Sequence, residues 1–156
     1  MLFNFISVSL ISATLIATTC LITYEVLGFV WNLMTRMHIA LRLRVLVILI
    51  PIFLTHIISI WIYGAAYFFL ELYTSFGHLT GEIAAATLSY TSFMERVYFS
   101  STTYTSLGFG DVVPERDLGM LCAAEVLNGL VLIGWTASFT YLSMEKFWTR
   151  RMPKGD

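Results

Sequence analysis

Thr105-Ser106-Leu107-Gly108-Phe109-Gly110-Asp111-Val112-Val113-Pro114 is the stretch on which the reading of this chain turns. Its two glycines flank Phe109, so the backbone on either side is free to take left-handed dihedrals that other residues resist. A glycine pair alone is a weak signal, because such pairs are common in turns. The surroundings sharpen it. Upstream, Ser100, Ser101, Thr102, Thr103 and Thr105 make a hydroxyl-rich approach; downstream, residues 118–124 and 126–144 are uncharged and separated by Glu125 alone.

Two more uncharged runs, 1–24 and 45–70, lie further upstream. Each run, the last joined across Glu125, exceeds the ~20 residues that cross ~30 Å of hydrocarbon at 1.5 Å per residue. Three transmembrane helices follow. Composition agrees: of 156 residues 58% are hydrophobic and 12% charged, with a mean hydropathy of +0.78, too apolar for a water-soluble domain. Residues 1–24 read as a span rather than a cleaved secretory signal, because no basic residue precedes the apolar run and no Ala-x-Ala site ends it.

Charge narrows the partners. The net charge is −1, from nine Lys/Arg against ten Asp/Glu with no basic block, so nothing marks a nucleic-acid surface. Lipid, an ion and further copies of the chain are the expected partners; no small-molecule ligand and no cofactor are expected. Cys20 and Cys122 each sit in an apolar stretch and read as small buried hydrophobes, not as a disulfide or zinc site.

The basic residues also set orientation. Arg36, Arg42 and Arg44 lie between the first and second spans, and Lys146, Arg150, Arg151 and Lys154 follow the third. The positive-inside rule puts both segments in the cytoplasm, so the N-terminus starts outside and the connection from Glu71 to Asp117 is external. Aromatic residues cluster where interfaces should fall: Tyr67, Phe68, Phe69 and Tyr73 outside, Trp31, Phe147 and Trp148 inside. The arginines of the first loop are spaced six and two apart, unlike the every-third-residue pattern of a voltage sensor, and read as orientation anchors. Pro51 marks a helix start or a kink.

The external connection is too long for a simple turn, and such loops usually carry function. Residues 74–84, with Gly77 and Gly81, read as a turret-like loop, and 93–103 as a short helix. The segment after that helix resembles the signature of potassium-channel pore loops, commonly Thr-Val-Gly-Tyr-Gly-Asp. The resemblance covers about residues 45–147. It implies an all-α membrane protein of three transmembrane helices plus a re-entrant pore helix and selectivity filter, assembled as a homotetramer in the plasma (inner) membrane. The chain divides accordingly into an extra N-terminal helix (1–35), a basic cytoplasmic loop (36–44), a pore domain (45–148) and a short cytoplasmic tail (149–156). Some small bacterial members of the ion-channel family are similar three-span chains, in which the first span would be a peripheral brace.

By this resemblance Thr105, Ser106, Leu107, Gly108, Phe109 and Gly110 form the ion-binding filter. Backbone carbonyls of Ser106, Leu107, Gly108 and Phe109 coordinate potassium, and the Ser106 hydroxyl closes the inner end. Such rings of oxygens replace the water that a potassium ion sheds. Asp111 sits at the external mouth and concentrates cations. The side chains of Leu107 and Phe109 are expected to pack against the pore helix. Family spacing puts Val131, Gly134, Ser138 and Leu142 on the cavity wall, one face of a helix, and makes Gly129 and Gly134 either hinges or close-packing positions.

The filter departs from the common pattern at Ser106, Leu107 and Phe109, and Phe109 lacks the phenolic hydroxyl of the usual Tyr. Thr102 stands where many relatives carry an acid behind the filter. Glu125, the one charge in the third span's apolar core, is expected to support the filter instead, through the hydroxyls of Ser101 and Thr102. The reading is of a passive potassium-selective channel, not an enzyme. A weakly selective cation pore is the alternative within channels. A proton-coupled transporter or intramembrane enzyme would be built around Glu25, His56 and Glu125, and an accessory subunit would leave the glycine motif unexplained.

Overall fold

Away from water every backbone N–H and C=O must find a partner within the chain, and for long runs of Leu, Ile, Val and Phe the helix is the local solution. The computed structural model describes residues 2–36, 41–74, 76–81 and 90–149. In chain order it forms α1 (Leu2–Arg36), α2 (Leu41–Tyr73), β1 (Leu79–Gly81), α3 (Tyr90–Tyr104), β2 (Val112–Pro114) and α4 (Leu118–Thr149). Among the described residues three stretches are long and apolar enough to cross a membrane: Asn4–Arg36, Leu43–Tyr73 and Leu118–Lys146.

The boundaries differ from expectation in informative ways. Of the basic segment 36–44, Arg36 ends α1 and α2 already begins at Leu41, so Arg42 and Arg44 lie in its first turn; residues 37–40 lie outside the described ones. Pro51 is inside α2 rather than at its start; it cannot donate to the preceding turn, while its carbonyl accepts from the Thr55 hydroxyl at 2.8 Å. The expected loop 74–84 contains a strand, β1, that pairs antiparallel with β2, and its last residues lie outside the described ones. Arg150, Arg151 and Lys154 also lie outside, as do the side chains of Phe147 and Trp148.

Two apolar clusters hold the helices together. One joins Val8 of α1, Tyr63, Tyr67 and Leu70 of α2, Phe99 of α3, and Leu118 and Leu121 of α4. The other joins Leu27, Val30 and Met34 of α1 to Ile48 and Ile52 of α2, with Phe139 and Met144 of α4 against it. The start of α1, the end of α2 and the start of α4 therefore share one end of the bundle, so consecutive long helices alternate in direction. At the other end Trp31 meets Phe139 edge-on, and Lys146 Nζ lies 4.2 Å from the Trp31 ring centroid. α1 contributes side chains to both clusters.

Between the clusters lies a layer of buried polar side chains. Asn128 of α4 donates to Thr19 of α1 at 2.8 Å and to the Tyr63 hydroxyl of α2 at 3.1 Å. Its two amide protons are both used, which is the condition for burying an amide without a large penalty.

Candidate site around residues 105–111

α3 buries Ser92, Arg96, Phe99, Ser100 and Thr103, a three-four spacing that keeps one face of a helix inward. It runs from Tyr90 to Tyr104, a little longer than the 93–103 expected. Its end is built by the residues that follow. Ser106 N–H donates to Thr103 O at 2.9 Å and Leu107 N–H to Thr102 O at 2.8 Å. This is the paired closure of a Schellman cap, in which the residue after the helix is left-handed. Here that residue is Ser106, with φ of 60°. Glycine is usual at such a position, and a side chain there costs about 1–2 kcal/mol.

The left-handed backbone then recurs at alternate residues: φ is 60° at Ser106, 53° at Gly108 and 79° at Gly110. The sequence foretold the two glycines, but not the serine. Gly108 N–H also reaches Thr102 O, at 3.1 Å. Thr102 thus meets this segment through its carbonyl, while its hydroxyl turns back to Phe99 O. Thr105 likewise turns its hydroxyl back, to Ser101 O at 2.7 Å. Within one chain Leu107 and Phe109 do not pack on α3: the residues are 59% and 64% exposed. The cap brings backbone amides onto α3 and leaves these side chains beyond its reach.

At the far end Asp111 is tied down twice. Its carboxylate accepts from the Tyr98 hydroxyl at 2.7 Å and from Val112 N–H at 3.1 Å. The Asp111 hydrogen bond pushes the Tyr98 phenol upward from its ordinary pKa, since that proton is held by the acceptor. Beyond Asp111 the β ribbon pairs Gly81 with Val112 and Leu79 with Pro114. Glu71 then joins three elements, accepting from Leu79 N–H at 2.5 Å and from Arg96 Nε at 2.6 Å. Arg96 is buried and also reaches Ser92 O and Glu95. The sequence offered one clue to this pair: Glu71 closes α2 and Arg96 is basic in a largely acidic connection.

Behind the segment, Glu125 is fully buried on α4. It accepts from the Tyr67 hydroxyl at 2.7 Å, and its other oxygen lies 2.5 Å from Ser100 Oγ. The expected donors Ser101 and Thr102 are not its partners; both turn their hydroxyls into their own helix, Ser101 to Tyr98 O. The expected contact is off by one or two residues around α3, because Ser100 is the hydroxyl on the helix face turned inward. Tyr67 was counted as an interface aromatic and is wholly buried.

The expected cavity residues lie on the uncovered face of α4. Val131 is 63% and Leu142 59% exposed, with Gly134 and Ser138 also exposed, while Leu132, Thr136 and Ser143 face the other helices. The two glycines of α4 separate in kind. A side chain at Gly129 would press against Tyr104 O, whereas one at Gly134 would meet nothing within 4 Å. Gly129 is a close-packing position; packing does not explain Gly134.

Glu25, His56 and Glu125 do not converge. Glu25 is exposed on the wall of a cleft between α1 and α4, beside Trp31, Asn32 and Trp135. His56 bonds Tyr104 and Thr136, and Glu125 bonds Tyr67 and Ser100. Among the described residues no group of three or more His, Cys, Asp or Glu could hold a metal ion.

A family model described as ion channel matches residues 46–146, about two-thirds of the chain. Searches of curated proteins and of solved structures gave no match.

Proposed function

Because the chain belongs to the ion channel family, we propose that it forms a potassium-selective pore whose filter is the 105–110 segment. The observation that carries this reading is the positive φ at Ser106, Gly108 and Gly110 in alternation. Alternating backbone handedness turns successive carbonyls to the same side, and a potassium ion entering a pore needs successive oxygens in place of its water. α3 is then the re-entrant pore helix. Its C-terminal end, where helix carbonyls carry partial negative charge, leads directly into the filter, and Asp111 is the acid at the mouth.

One such segment cannot enclose an axis, and four identical ones can, so the pore is a homotetramer. The exposed Leu107 and Phe109 side chains and the bare face of α4 support this assembly, since both need a neighbouring copy or an axial cavity beside them. Val131, Gly134, Ser138 and Leu142 line that cavity, and Glu125 braces α3 from behind. In the membrane the connection from Glu71 to Asp117 faces outward with the N-terminus, and the basic ends of α1 and α4 face the cytoplasm.

Reversal potentials tell the readings apart. Purified protein in planar bilayers, with potassium on one side and sodium on the other, should give a potential that follows potassium. Barium should block, because it matches potassium in size but its double charge holds it among the carbonyls. Equal permeability to sodium would select the weakly selective cation pore, and no current with proton-coupled uptake would select a transporter.

A further inference from the structure

His56 lies in the apolar run of α2, and both of its ring nitrogens are engaged. Nδ1 is 2.9 Å from the Tyr104 hydroxyl and Nε2 is 3.1 Å from Thr136 Oγ1. One assignment of protons serves both bonds. Thr136 donates its hydroxyl proton to Ile133 O at 3.1 Å, so its oxygen accepts from His56 Nε2–H. With the ring proton on Nε2, Nδ1 is the bare nitrogen and accepts from Tyr104. The imidazole is therefore a bridge from α4, through α2, to the last residue of α3.

The two ends of that bridge hold different parts of α4. Tyr104 is the residue from which the 105–111 segment departs, and its carbonyl sits in the notch at Gly129. Thr136 lies two residues beyond Gly134, where nothing packs. α4 runs uninterrupted through Gly134 in this conformation. Gly129 thus fixes the half of α4 before Gly134 to the base of the segment, and His56 ties the half beyond it to the same residue.

We propose that His56 is a positioning residue for gating: it holds α4 unbent across Gly134 by linking Thr136 to Tyr104, and opening of the pore breaks this link. The inference rests on the channel reading above and adds to it the contact by which the inner helix and the filter base sense each other. Loss of one hydrogen bond at Thr136 changes the open-to-closed ratio by about fivefold per subunit, the fold-change that one net buried hydrogen bond supplies.

Thr136→Val is the direct test, because it keeps the shape and removes the hydroxyl that links α4 to His56. It should raise open probability while leaving single-channel conductance and selectivity at wild-type values. Thr136→Ser, which restores the hydroxyl, should return open probability to wild type, a rescue that a packing role for the methyl would not give. His56→Leu should act like Thr136→Val, and the double variant should go no further than either. Spin labels at the exposed Leu127 and Tyr141, about 21 Å apart along an unbent helix at 1.5 Å per residue, read the same bend without current. Thr136→Val should add shorter distances, and Thr136→Ser should not. Multiplying effects in the double variant, or an unmoved open probability with an unmoved label distance, would overturn the proposal. If the wild type carried no potassium current the channel reading would fail, and the label distances would still decide whether His56 holds α4 straight.

Discussion

Replacing Gly108 by alanine tests the filter assignment at its most exposed point. Gly108 has φ of 53°, and a Cβ built on it meets nothing within 4 Å in the chain. The penalty is therefore conformational rather than a clash with neighbours. An L-residue in the left-handed region costs about 1–2 kcal/mol. Around a fourfold axis this becomes about 4–8 kcal/mol against the conducting backbone, or roughly 10³- to 10⁶-fold in its population. Potassium flux from reconstituted Gly108→Ala protein should fall below detection, while helix content and assembly stay as in the wild type. Gly28→Ala is the control: that glycine also has open space around it, but its backbone is ordinary helix, so current should persist. D-alanine at 108, introduced by semisynthesis, prefers positive φ and should restore conduction. Wild-type current in the L-alanine variant would refute the reasoning, and so would equal loss in Gly28→Ala.

Four further expectations follow from the same geometry. Glu125→Gln can offer its amide N–H₂ to Ser100 and its oxygen to Tyr67, so conductance and selectivity should hold while filter gating shifts; Glu125→Ala leaves the Tyr67 hydroxyl without its acceptor, while Ser100 keeps Ile60 O, and should cost about 1–3 kcal/mol in a denaturation assay. A cysteine at Ser138 should react with internal thiol reagents in the open state, and one at Phe139, which packs against Trp31, should not; the reverse would show that the face of α4 is misassigned. Leu142→Asn should raise open probability in single-channel records if a ring of Leu142 side chains gates by dewetting, and unchanged records would remove that gate. Arg96→Met leaves Glu71 buried without its cation and should lower thermal stability by about 3–5 kcal/mol; a shift under 1 kcal/mol would mean that the Glu71 carboxylate has another outlet.

Much of the architecture was legible because the membrane enforces it. Uncharged runs long enough to cross hydrocarbon have one local solution, and the three spans stand where those runs are. Gly108 and Gly110 announced themselves by their freedom at positive φ. Ser106 did not, because the cap that makes it left-handed is a set of backbone bonds to Thr102 and Thr103 that no side chain encodes. Glu125 was legible as a buried acid needing donors, yet its partners were misplaced by one helical step. A face of α3 is set by packing against α2 and α4, and Ser100, Ser101 and Thr102 are chemically alike in the sequence. The β ribbon was missed for another reason. Three residues on each side, one of them a proline, carry too short a pattern to be read as strands.

The polar layer between the two apolar clusters has a direction in time as well as in space. Thr19 satisfies its own hydroxyl inside α1, at Leu15 O, so α1 can sit in lipid with no donor left over at that position. α4 cannot do this alone, since Asn128 needs Thr19 and Tyr63, and Glu125 needs Tyr67 and Ser100. Every one of these partners precedes α4 in the chain. A ribosome feeding this sequence into a bilayer therefore delivers α4 after α1, α2 and α3, into a groove whose acceptors and donors are already synthesised, and the cost of inserting Asn128 and Glu125 into hydrocarbon is met by docking rather than endured while waiting for it.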